Sequence, residues 1–66
     1  MIPTENGFYW AYVEGEDFAD WEPVSVFIKD SILHVTLIGS EEILTGEYLY
    51  KIVTKFGDKI EYTNGQ

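Results

Sequence analysis

A period-2 alternation from Val24 to Ile38 most constrains how this chain folds. Val24, Val26 and Ile28 alternate with Ser25, Phe27 and Lys29. After the polar pair Asp30-Ser31, Leu33, Val35 and Leu37 alternate with Ile32, His34, Thr36 and Ile38. Successive strand residues point to opposite faces, and two such runs joined by two turn residues read as a β-hairpin. Trp21-Glu22-Pro23 leads into it, and Pro23 suits a first strand position because its missing N–H costs no ladder bond there. A lone hairpin is marginal in water, so the rest of the chain must supply further strands.

Phe8-Tyr9-Trp10-Ala11-Tyr12-Val13 is aromatic and β-branched, with Ala11 its only helix former, and reads as the first strand. Both of its faces are apolar or amphipathic. It is either a central strand covered on both sides or a strand with one aromatic face exposed for binding. Glu14 to Asp20 reads as a loop with Phe18 as an apolar anchor. Gly39-Ser40-Glu41-Glu42 breaks the pattern, with room for at most one short helical turn near residues 40–45, and Ile43 and Leu44 return to the core. Glu47 to Phe56 reads as a long strand, Gly57-Asp58 as a two-residue type II′ hairpin loop, and Lys59 to Thr63 as the last strand. A helix is the rival over 47–56, since Leu49, Ile52, Val53 and Phe56 fit i, i+3, i+4 and i+7. The β-branched and aromatic content and the Gly-Asp turn favour the strand. The expected fold is all-β: a small antiparallel sheet of about five strands that can curl into an SH3-like barrel. It forms one domain over 1–66, with 1–6 and 64–66 loose.

Stability has to come from packing. The 66 residues include no cysteine and a single histidine, His34, which excludes disulfides and a zinc knuckle. Two Trp, five Tyr and four Phe supply the apolar surface and exclude a disordered acidic tail. The longest apolar run, Phe8 to Val13, is far short of the ~20 residues that span a bilayer. No basic n-region precedes an apolar stretch, so the expected location is the cytosol.

The charge is −8, from twelve Asp and Glu against four Lys and no Arg. Nucleic-acid and anionic-membrane binding draw on Lys and Arg, so the sign argues against both. All four lysines follow residue 28, whereas Glu14, Glu16, Asp17, Asp20 and Glu22 crowd a short segment around Trp21. A solvated loop accounts for such a run. A docking patch for a basic protein accounts for it too, with association steered by the field. The candidate partner-binding set is Glu14, Glu16, Asp17, Asp20, Trp21 and Glu22.

Other chemistry has little to work with. Ser25 and His34 could face each other across the hairpin, but no third group completes a triad, and no catalytic residue is assigned. The acids of the 14–22 segment are hard oxygen ligands without the spacing of an EF-hand, so neither a metal site nor a cofactor is expected. The rings of Phe8, Tyr9, Trp10, Tyr12 and Trp21 read as core rather than as a platform for single strands, which sits in a basic groove. Exposed beside the acids, they would instead form a protein-binding hot spot. Were the segment extended, Glu14 and Glu16 would project about 6.6–6.8 Å apart on one face, a spacing suited to imitating a phosphate backbone.

Gly7-Phe8-Tyr9-Trp10, Asp20-Trp21-Glu22-Pro23-Val24, Ile32-Leu33-His34-Val35 and Ile38-Gly39-Ser40-Glu41 together resemble a recurring type of small phage and prophage accessory protein. Such proteins share an aromatic first strand, a Trp-x-Pro entry to the second and a Gly-Ser-Glu turn. The chain departs from the type at its C-terminus, where a Gly-Pro tail is common. The resemblance implies an accessory protein in a bacterial cytosol that binds and blocks a host protein, and it assigns no residue a role. The expected function is a non-enzymatic acidic interaction module that occupies a basic, nucleic-acid-binding site on a host protein. The alternative is an assembly protein that self-associates through its aromatic strand faces, as in a homodimer.

Overall fold

The aromatic segment forms the middle of a five-stranded antiparallel sheet. The computed structural model describes residues 2–61, ordered as β1 (Gly7–Glu14), β2 (Ala19–Lys29), β3 (Ile32–Leu37), β4 (Ile43–Leu44), α1 (Gly46–Ile52) and β5 (Val53–Lys59). Across the sheet the order is β4-β3-β2-β1-β5, so β1 lies between β2 and β5. The fold is the small, strand-dominated antiparallel sheet expected, but it does not close into a barrel. β4 covers β3 only at Val35 and Thr36, and β5 ends the other side. No described helix is long and apolar enough to cross a membrane.

Strand alternation sorts the residues onto two faces. Tyr9, Ala11 and Val13 of β1, Val24 and Val26 of β2, Val35 of β3 and Val53 of β5 are buried together, and Leu44 and Leu49 close over them. The β2–β3 hairpin falls where the alternation places it. Lys29 pairs with Ile32, and Asp30 and Ser31 both have positive φ, 55° and 66°, as a two-residue type I′ turn requires. The next turn is closed by the Ser40 N–H donating to the Leu37 carbonyl at 3.0 Å. There Gly39 takes φ +89°, a conformation costly for any residue with a Cβ.

Two expectations are corrected, and one point left open is resolved. Residues 46–52 are helical rather than the start of a long strand. A strand would put Leu49, Lys51 and Val53 on one face, dragging a lysine into the core with its neighbours. The helix instead buries Leu49 completely and packs Ile52 against the core, while Tyr48, Tyr50 and Lys51 face outward. Glu47 in its first turn and Lys51 in its last complement the helix dipole. The helical turn allowed near 40–45 does not form, because Ile43 and Leu44 are held in the sheet by Thr36 and Val35. Gly57-Asp58 is not a hairpin loop either. It lies inside β5 where the register against β1 shifts, between the pairs Ala11–Phe56 and Tyr9–Lys59. Glycine there marks a bulge. The expected last strand reduces to Lys59 at the end of β5 and Ile60, whose N–H donates to the Phe8 carbonyl at 2.7 Å, with Tyr62 and Thr63 outside the described residues.

The lead-in makes specific contacts with the sheet. Pro3 is buried, the Tyr9 hydroxyl donates to the Glu5 carbonyl at 2.9 Å, and Asn6 Oδ1 accepts the Ile28 N–H at 2.9 Å. Residues 64–66 lie outside the described residues.

Candidate interaction surface

The face opposite the core is bare. In register, Phe8 stands beside Ser25, Trp10 beside Pro23 and Tyr12 beside Trp21, while Phe27 faces His34 and Lys55 faces Tyr12. These side chains share the outer side of the sheet, and α1 packs on the other. Phe8, Trp10 and Trp21 keep 49%, 42% and 44% of their surface exposed. Of the five rings expected in the core, only Tyr9 is buried there, which corrects that reading. One strand cannot send both faces to a single covered side, and the described residues include one short helix to cover with.

The outer rings are nonetheless ordered against one another. Tyr12 and Trp21 meet edge to face with centroids 5.4 Å apart, and Lys55 Nζ lies 5.4 Å from the Tyr12 ring centre. Phe27 and His34 stack at 4.5 Å, 11° from parallel. Interlocked aromatics of this kind gain about 0.5–1.5 kcal/mol per pair beyond simple burial and present a stiff surface. The His34 Nδ1–H donates to the Ile32 carbonyl at 2.9 Å. The pairing Ser25–Thr36 and Phe27–His34 leaves Ser25 without the histidine opposite it, so the Ser-His juxtaposition considered from sequence is not formed.

The six residues singled out for partner binding do not make one patch. Glu14 ends β1 on the outer side, its carboxylate accepting the Thr54 hydroxyl at 2.7 Å. Glu16 and Asp17 are exposed in the loop, which the Gly15 N–H closes by donating to the Phe18 carbonyl at 2.7 Å. The extended spacing imagined for Glu14 and Glu16 is therefore replaced by a bend. Trp21 faces outward, whereas Asp20 and Glu22 pair with Val13 and Ala11 and so flank the core side. Asp20 Oδ1 accepts the Trp21 N–H at 2.8 Å. The structure thus puts Glu14 and Trp21 on the outer face, Glu16 and Asp17 in the loop that follows β1, and Asp20 and Glu22 on the core side.

Trp21 also lines a cleft of about 430 Å³ together with Ile2, Tyr50 and residues 53–56 of β5. The partner-binding set read from the sequence leaves out Phe8 and Trp10, which the same reading assigns to the core, as well as Pro23 and Phe27. The signal for them was the doubly apolar strand itself, together with too few residues to cover both its sides. No family model matches this chain, and neither a curated protein nor a solved structure matches it.

Proposed function

We propose that this chain is a non-enzymatic interaction module whose acidic β1–β2 hairpin, with Trp21 beside it, docks on a basic site of another protein. The observation that carries this reading is the pairing of exposed carboxylates, Glu14, Glu16 and Asp17, with exposed rings, Phe18 at 54% and Trp21 at 44%. Aromatic anchors rimmed by charge are the composition of interface hot spots. Among the described residues the one ion pair is Lys59 with Glu5, so the hairpin acids engage no lysine. The phage-type resemblance supports a setting in a bacterial cytosol and an inhibitory role against a nucleic-acid-binding protein. The bend at Glu16 favours an electrostatic and aromatic plug over a ladder of carboxylates imitating DNA.

The test is capture from a bacterial lysate, eluted by salt. The wild-type chain is expected to hold a basic protein at about 50 mM salt and release it well before about 500 mM. Bait carrying Glu14→Gln, Glu16→Gln and Asp17→Asn, and separately Trp21→Ala, is expected to lose it while far-UV circular dichroism stays unchanged. Retention by the neutralised bait, or indifference to salt, overturns the reading.

A further inference from the structure

We infer that the outer face of the sheet is the contact surface of a homodimer, two copies packing face to face as a sandwich. This goes beyond the hairpin reading and rests on a different observation, the bare face itself. Its exposed large apolar residues are Phe8, Trp10 and Trp21, joined by Ile32 and Ile43, each 52% exposed and set on this side by the pairs Lys29–Ile32 and Thr36–Ile43. With roughly half of each side chain open, these five present on the order of 500 Å² per copy. That is at the upper end of the largest apolar patch on an ordinary monomer, and two such faces together reach the ~1,000 Å² of a specific interface.

Charge selects a second copy as the occupant. The chain is strongly acidic, yet the outer face carries charges of both signs: Lys29 and Lys55 against Glu14, already bonded to Thr54, and the exposed Asp58 in the bulge opposite Trp10. Asp20 and Glu22 lie on the core side, Glu16 and Asp17 in the loop, and Glu47 on α1. Two such mixed faces can set the lysines of one copy near the carboxylates of the other across a two-fold axis, while most of the acids that give the molecule its charge stay off the contact. A nucleic acid would approach against the field of the whole molecule. A two-fold axis in the interface would make the contact self-complementary, with the sheets about 10 Å apart.

The experiment is sedimentation equilibrium on the full chain from about 1 to about 500 μM, at low and high salt, with tryptophan emission recorded on dilution. A monomer–dimer equilibrium is expected that holds or tightens as salt rises, because screening relieves repulsion between acidic copies. Trp10 and Trp21 emission is expected to shift to the red on dilution. Trp10→Lys and, separately, Phe8→Lys are expected to weaken the dimer at least tenfold with the circular dichroism unchanged. The hairpin-neutralised chain is expected to dimerise as well as wild type or better. A strict monomer throughout overturns the inference, as does a dimer untouched by both substitutions. Oligonucleotide quenching of the tryptophans in a monomeric chain would reassign the face to single strands. Because salt moves the two contacts in opposite directions, loss of the dimer leaves the hairpin reading standing, and the reverse holds.

Discussion

The indole of Trp21 lies over Gly57, two strands away across β1. A Cβ on Gly57 would sit 3.1 Å from Cζ3 of Trp21 and 3.3 Å from Cβ of Trp10. The first contact can yield by rotation of the ring, but the second is anchored to a strand backbone. Gly57→Ala is therefore expected to destabilise the fold by about 1–3 kcal/mol, the range for overpacking. It should also move Trp21 off β5 and alter its contact with Tyr12. Urea denaturation and the near-UV circular dichroism of the tryptophans check both effects, and an unchanged near-UV spectrum would contradict the arrangement.

The same residue shows where sequence reasoning stops. Gly57-Asp58 has the composition of a hairpin loop, and only the pairing of β5 with β1, from Tyr9–Lys59 to Val13–Val53, turns it into a bulge. Local signals decided the region from Val24 to Leu37, where alternation and a two-residue turn agree. Over residues 47–56 they favoured a strand, because the β-branched and aromatic content and the Gly-Asp pair outweighed the helical spacing of Leu49, Ile52, Val53 and Phe56. The need for a cover over Tyr9, Val24 and Val35 overrides that reading, and it is a tertiary requirement. The candidate site was legible to the same degree. Its residue types stood out, but the face each occupies follows from the β1–β2 register, which separates Trp21 from Asp20 and Glu22.

Leu49 is the plug of the core. It is fully buried on a helix of seven residues, too short to persist without its tertiary contacts. Leu49→Ala is expected to cost about 2–5 kcal/mol, a large share of what a domain this size possesses. Tyr48→Ala, at a position 50% exposed one residue earlier, is expected to cost well under 1 kcal/mol. A strand over this segment would also place the two on opposite faces. The discriminating change is therefore Ile52→Ala, which packs against the core with Leu49 in the helix and would share a face with Tyr48 in a strand. A thermal melt that groups Ile52 with Leu49 supports the helix, and one that groups it with Tyr48 contradicts it.

The β2–β3 turn holds two non-glycine residues at positive φ. Asp is among the residue types that visit that region most readily, but Ser31 at φ 66° carries the Cβ penalty of roughly 1–2 kcal/mol. Ser31→Gly is expected to stabilise the fold by up to about 1 kcal/mol after the added entropy of the unfolded chain is offset. For a domain of this size that raises Tm by about 4–8 °C. A lower Tm would mean that the Ser31 side chain makes a compensating contact.

Glu5 and Lys59 join the lead-in to the end of β5 through a 2.6 Å ion pair. The hydrogen bond from the Lys59 ammonium, reinforced by its charge, holds the Glu5 carboxyl below the usual range. The Glu5 hydrogen bond raises Lys59 in turn. A carboxylate depressed on folding contributes stability above its unfolded pKa and loses it as pH falls through the folded value. A raised lysine contributes below its unfolded pKa and loses that as pH rises through the folded one. The pair therefore supports the fold across the neutral range and fades at both the acidic and the strongly alkaline ends. Both groups are open to water, so the contribution is small and screened by salt. Side-chain NMR titration is expected to find Glu5 titrating below the ordinary glutamate range, and to return it to that range in Lys59→Met. Glu5 already titrating in the ordinary range in the wild type would mean that the pair does not hold in solution, leaving Asn6 and the Tyr9 hydroxyl to anchor the lead-in.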